Sequence, residues 1–203
     1  MSRTHLVEAY RRLGQAGLIA GSSGNISVRD GAGMLISPTG TSPERIAPDT
    51  IVAMGLDAPA PRASSEWPLH ASLYRARPDI GAIVHTHADA CTALACLNEP
   101  LPPFHYGVLL FGGEIRCAPY VTFGTPELAT LAVQAMQDRT ACLLANHGMI
   151  AAGPTLLAAI DAAFELERLC RQYLLARSAG LPRLLTNDEI AAAHARFHTY
   201  RQS

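Results

Sequence analysis

The sequence contains no lysine: all 16 basic residues in a chain of 203 are arginine. Its absence excludes a Schiff base with substrate, an anchor for pyridoxal phosphate and the lysine of a phosphate-binding P-loop. Any carbonyl activation must then use another electrophile, and a metal ion is the obvious candidate. Paired cysteines are also missing. Cys91, Cys96, Cys117, Cys142 and Cys170 form no CxxC motif, their number is odd, and each sits in apolar sequence. They read as reduced core residues of a cytoplasmic protein. No run approaches the ~20 apolar residues of a membrane-spanning helix. The opening MSRTHLVEAYRRLGQ has neither the apolar core nor the small-residue cleavage site of a signal peptide. Sixteen basic residues stand against 17 acidic ones, with no basic cluster, so no nucleic-acid footprint is expected. GSSGN lacks the spacing of a dinucleotide-binding GxGxxG. Internal repeats and low-complexity tracts are lacking as well.

What is present is an apolar, foldable chain, 49% hydrophobic. Its length suits one globular domain over residues 1–203. Residues 4–19 read as an amphipathic helix closed by Gly21. NISVR and GMLIS flank a turn at Asp30-Gly31 and read as paired strands. SPERI suggests a short helix, and TIVAMG a strand. SSEWPLHASLYRARPD reads as a helix capped by Ser64 or Ser65. AIVHTH is a strand with the helix ADACTALACL behind it. A loop over residues 99–114 leads to the strand IRCAPY and the helix TPELATLAVQAMQD. CLLANHGMIAAG reads as two strands or a tight hairpin about His147-Gly148. A long helix runs from Pro154 to Gly180, and Thr186-x-x-Glu189 is the capping box of the last helix. Hairpins interleaved with helices give a mixed α/β fold, a sheet with helices on both faces.

The chemistry gathers at AIVHTHAD. Positions i and i+2 of a strand share a face, so His85 and His87 can converge on one point. Two such imidazoles suit a divalent transition metal. The motif is short, and a pair of hydrogen-bonded histidines fits it equally well. His147, at the end of a second apolar strand, and Glu66, in the first turn of a helix, are candidates to complete a shell. Taken singly, they read as a turn histidine and a favourable charge at a helix dipole. Together the four supply three neutral nitrogens and a carboxylate, the donor set of a catalytic zinc site. Ser64 and Ser65 offer hydroxyls and amides at a helix start, and Asn25, Thr39 and Gly40 lie in small-residue turns. Such groups can cradle a phosphate without a basic side chain. His5, His70, His194 and His198 read as ordinary helix residues.

SSGN, PTG, SSEW, HTHA, the HY…GG loop, CAPYVTFGT and NHG follow in order across the chain. In that ordered set the sequence resembles the class II aldolase/adducin family. The resemblance implies a three-layer α/β/α fold with a central, mostly antiparallel sheet. It also implies a homotetramer with active sites between subunits. His85, His87 and His147 match zinc ligands, and Glu66 matches a ligand that also serves as acid/base. Manganese or cobalt could replace the zinc. Asn25, Thr39, Gly40, Ser64 and Ser65 match phosphate-binding positions. Tyr106 matches a catalytic tyrosine from a neighbouring subunit, and Tyr200 one in a C-terminal tail that closes over substrate. The implied reaction is reversible cleavage of a 1-phospho-ketose, such as L-fuculose 1-phosphate, to dihydroxyacetone phosphate and an aldehyde such as L-lactaldehyde.

Three departures from the family pattern bear on the aldehyde side: Asn146 before His147, Asp89 after HTHA, and the bulky GVLLF before the paired glycines. Other activities share the same metal and phosphate positions. They are a sugar-phosphate 4-epimerase, a methylthioribulose-1-phosphate dehydratase and a phospho-oxotetronate decarboxylase. A non-catalytic adducin-like module would have no need of Glu66 and the three histidines together.

Overall fold

The computed structural model describes residues 2–200, with side chains placed through Arg196. Helix α1 (Arg3–Gln15) starts at Ser2, whose hydroxyl accepts the His5 amide. It stops short of residue 19 because Gly17 turns the chain at positive φ. β1 (Asn25–Asp30) and β2 (Gly33–Ile36) form the expected hairpin. SPERI is a turn rather than a helix. Five residues are too few to offset helix nucleation, and Pro48 forces Ala47 into extended backbone. β3 (Val52–Met54) and α2 (Trp67–Ala76) follow. Then come β4 (Ala82–Thr86) and α3 (Asp89–Ala95). The 99–114 loop contains a 3-10 helix at Tyr106–Phe111. The IRCAPY strand shrinks to β5 (Cys117–Ala118), since Pro119 has no amide for a ladder. α4 (Pro126–Ala135) is capped by Thr125. β6 (Ala141–Leu144), β7 (Gly148–Gly153), α5 (Leu156–Ala179) and α6 (Asn187–Tyr200) complete the chain. At the start of α6, Thr186 and Glu189 exchange both bonds of the capping box.

Among the described residues, seven strands form one sheet in the order β3-β2-β1-β4-β7-β6-β5, parallel only between β5 and β6. Strand alternation sends every second residue to the opposite face. Val84, Leu143, Met149 and Ala151 pack with α1, α3 and α5. Ile83, Cys142, Leu144 and Ile150 pack with α2 and α4. Three layers result, as the family resemblance implied. Polar exceptions in this alternation mark the site. Asn25 and Ser27 on β1, and His85 on β4, are buried on the face that carries α2, and Asn25 pairs directly with His85.

All five cysteines are free; Cys91, Cys142 and Cys170 are buried and Cys117 is half-buried. Cys96 departs from the core expectation, because α3 ends there and leaves it exposed. No helix among the described residues is long and apolar enough to cross a membrane.

Candidate metal centre and substrate cleft

Three segments meet at one end of the central strands: the end of β4, the β6–β7 turn and the start of α2. His85 lies within β4 and is fully buried. Its Nδ1 donates to the Met149 carbonyl at 2.9 Å, which leaves Nε2 to face the site. His87 falls one residue past the strand, with Nε2 3.1 Å from that of His85. His147 closes the turn Ala145–His147, in which Asn146 adopts φ +53°. The three ring centroids are 5.0, 4.8 and 4.8 Å apart. Glu66 precedes α2 and is itself the cap residue, so neither Ser64 nor Ser65 caps the helix. Its Oε2 lies 3.0 Å from His85 Nε2 and accepts a 3.0 Å bond from Asn25 Nδ2. Its Oε1 lies 3.3 Å from His147 Nε2, buried and without a hydrogen bond.

Two glycines make this approach possible. A Cβ at Gly148 would meet the Thr86 carbonyl oxygen at 2.4 Å and the His87 ring at 3.0 Å. A Cβ at Gly24, already at φ +109°, would meet the His85 carbonyl oxygen at 2.8 Å.

Burial opposes ionisation of Glu66, but His85, then His147 and the Asn25 amide, outweigh it and hold the carboxyl well below the usual range. His85 moves up: burial disfavours its charge, and the Glu66 carboxylate and Met149 carbonyl more than compensate. Burial, reinforced by the His85 charge, pushes His87 and His147 each down to about 4. The set is therefore a carboxylate with three imidazoles, two of which, His87 and His147, burial keeps neutral. One donor atom from each of the four residues lies within 4.8 Å of the others. The unpartnered Oε1 and the pre-oriented Nε2 of His85 fit a divalent transition ion.

Glu66, His87 and His147 line a cleft of about 390 Å³, and His85 is buried beside them. Asn25, Thr39, Gly40, Ser64 and Ser65 all line it, so the structure brings the expected cradle to the metal cluster. The Thr39 and Ser64 amides are already bonded to the Arg62 and Ser37 carbonyls. These two residues therefore have hydroxyls to offer a phosphate, and their amides hold the two loops together. No arginine lines the cleft among the described residues.

Tyr106 lies elsewhere, half exposed on the 3-10 helix and stacked on the His105 ring at 4.4 Å. The Tyr200 side chain lies outside the described residues. Asp89 is exposed at the start of α3, where it lines a separate hollow with Arg171; it is no part of the metal cleft. Asn146 does line the cleft. So do Ser22, Ser23, Tyr120, Val121 and Phe123, to which sequence reasoning gave no role. The motif CAPYVTFG was the available signal for the last three. His70, read as an ordinary helix residue, is fully buried against Asn25.

Fold and cleft together define a class: a three-layer α/β/α protein with a carboxylate and three histidines at one end of the sheet's central strands, beside a hydroxyl-rich pocket. The chain belongs to the Class II Aldolase and Adducin N-terminal domain family, which matches residues 4–174. It is 46% identical over 202 residues to a 5-methylthioribulose-1-phosphate/5-deoxyribulose-1-phosphate aldolase of Rhodospirillum rubrum, covering 98% of this chain and 91% of the relative. It is 40% identical over 201 residues to the L-fuculose phosphate aldolase of Escherichia coli K12, covering 96% and 93%. The solved structure of an L-fuculose 1-phosphate aldolase superposes with a TM-score of 0.91 at 38% identity, covering 97% and 95%. The chain is an enzyme of the class II aldolase type.

Proposed function

We propose that the chain reversibly cleaves a 1-phospho-ketose between carbons 3 and 4, giving dihydroxyacetone phosphate and a short aldehyde. The observation that carries this is the joint placement of Glu66, His85, His87 and His147 under a lysine-free, hydroxyl-lined cleft. L-Fuculose 1-phosphate, 5-deoxyribulose 1-phosphate and 5-methylthioribulose 1-phosphate share the phosphate, the ketone, two following hydroxyls and an apolar terminus. Tyr120, Val121 and Phe123 give the cleft an apolar side suited to that terminus.

His85, His87 and His147, with Glu66, would hold the cation; their nitrogen-rich set favours Zn2+, with Mn2+ or Co2+ as substitutes. When bound, the cation supplies Lewis acidity that polarises the ketone and offsets the negative charge developing after cleavage. The hydroxyls of Ser64, Ser65 and Thr39, with Asn25 and the Gly40 turn, grip the phosphate and so fix the chain's register over the cluster. Glu66 moves a proton to and from the carbon that becomes the hydroxymethyl of dihydroxyacetone phosphate. Tyr106, contributed by a neighbouring copy in a homotetramer, protonates the aldehyde oxygen in the synthetic direction, and Tyr200 closes over the substrate. Dihydroxyacetone phosphate release should vanish after chelation and return with Zn2+. Release that survives complete metal removal would contradict the proposal.

A further inference from the structure

The metal cluster uses three of the eight histidines. His70 is left beside it, fully buried on α2, one helical turn past Glu66. A histidine sealed from water needs a partner for each ring nitrogen. Nε2 lies 2.5 Å from Asn25 Oδ1, and Nδ1 lies 2.7 Å from Ser27 Oγ. Ser27 Oγ continues to the Tyr74 hydroxyl at 2.8 Å, and Asn25 Nδ2 continues to Glu66 Oε2 at 3.0 Å. Five side chains thus form one unbranched line. Glu66, His70 and Tyr74 recur every fourth residue along α2 and its cap, and Asn25 and Ser27 share one face of β1.

Every donor in this line is forced. An ionised carboxylate only accepts, so Asn25 must turn Nδ2 toward Glu66 and Oδ1 toward His70. Oδ1 also only accepts, so the His70 proton sits on Nε2. Nδ1 of the neutral ring then accepts from Ser27, and Ser27 accepts from Tyr74. Burial, reinforced by the His85 charge, keeps the ring neutral by pushing its pKa down to about 3. A flipped Asn25 amide would set Oδ1 against the carboxylate and Nδ2 against the His70 N–H, an arrangement the line forbids.

We propose that His70 is a positioning residue for Glu66: its Nε2–H locks the Asn25 amide, and the locked amide aims the carboxylate at the cation. The catalytic consequence rests on the aldolase reading, whereas the effect on metal binding does not. The test is therefore Co2+ affinity of the metal-free full-length chain, measured by competition with a chelator, with kcat for dihydroxyacetone phosphate release alongside. His70→Gln keeps a donor at the reach of Nε2, whereas His70→Asn reaches only as far as Nδ1. His70→Gln should stay near wild type, and His70→Asn should lose about 10–100-fold in Co2+ affinity, the usual effect of removing an outer-shell partner. The same order is expected in kcat, with KM little changed. Equal affinities in all three proteins, or equal losses in both variants, would overturn the proposal. Should the His70→Asn chain fail to fold, Ser27→Ala carries the test. It keeps the imidazole but removes the hydroxyl that holds Nδ1, loosening the ring that locks Asn25, so affinity should fall in the same direction, and unchanged affinity overturns the proposal. Wild-type protein that binds Co2+ yet releases no dihydroxyacetone phosphate counts against the aldolase reading alone.

Discussion

At Glu66 two opposed demands meet. The carboxylate has to stay ionised while buried, and one oxygen has to stay open to a cation. His85 and Asn25 meet the first through Oε2, and Oε1 is kept without a hydrogen bond for the second. The cost appears at His70, buried neutral with its pKa near 3. An unfolded histidine takes up a proton below about pH 6.5. Between the two values the unfolded state holds a proton that the folded state lacks, so stability rises with pH across that window and falls on acidification. His70 should contribute about 1.4 kcal/mol per pH unit there. Urea midpoints of metal-free His70→Gln should accordingly show a shallower acid limb than wild type, and parallel limbs would contradict this. The three cluster histidines were legible because His85 and His87 stand two residues apart at the end of an apolar strand and His147 sits in a strand–Gly turn. His70 was not legible, because Asn25 and Ser27 lie 45 and 43 residues away along the chain, and only β1 against α2 brings them together.

Element boundaries set where those side chains point. Paired strands announced the β1–β2 hairpin, and the NHG turn became a three-residue hairpin with Asn146 in the left-handed region. The capping box of α6 was legible for the same reason, since both of its partners are local. SPERI and IRCAPY misled because a proline, Pro48 just beyond the first and Pro119 within the second, overrides the local pattern. The start of α3, directly after the metal-cluster strand, depends on a residue that sequence reading passed over. Glu167 of α5 is buried and accepts the Ala90 and Cys91 amides at 3.0 and 2.9 Å. It serves as a cap supplied from a different helix. Glu167→Ala should cost ~2 kcal/mol of stability by leaving two buried donors unpaired. A change within error of zero in chemical denaturation would show that water replaces the carboxylate.

At the scale of the whole molecule, the cleft opens where β1 starts, β4 ends and β6 turns into β7, with the α2 start as its rim. The three-layer arrangement was readable from alternation and helix caps. Tyr106 lies outside the cleft its own chain forms, as it would if it served a neighbouring copy as proposed. The homotetramer proposal makes a quantitative expectation. If each site takes Glu66 from one chain and Tyr106 from a neighbour, co-expressed Glu66→Gln and Tyr106→Phe chains mix at random. About a quarter of the sites then regain both groups. Activity near that fraction, with each variant inert alone, supports sites shared between copies. A mixture as inactive as its components contradicts them.

The central claim is cleavage between carbons 3 and 4, and one measurement addresses it directly. Zn2+-loaded protein is offered 5-deoxyribulose 1-phosphate, 5-methylthioribulose 1-phosphate, L-fuculose 1-phosphate and a pentulose 5-phosphate, and dihydroxyacetone phosphate is followed by a coupled assay. Release from at least one of the 1-phospho-ketoses, and none from the 5-phosphate, is the predicted result. Turnover of the 5-phosphate with no dihydroxyacetone phosphate from any 1-phospho-ketose would contradict it, and would assign the same metal cluster to an epimerase.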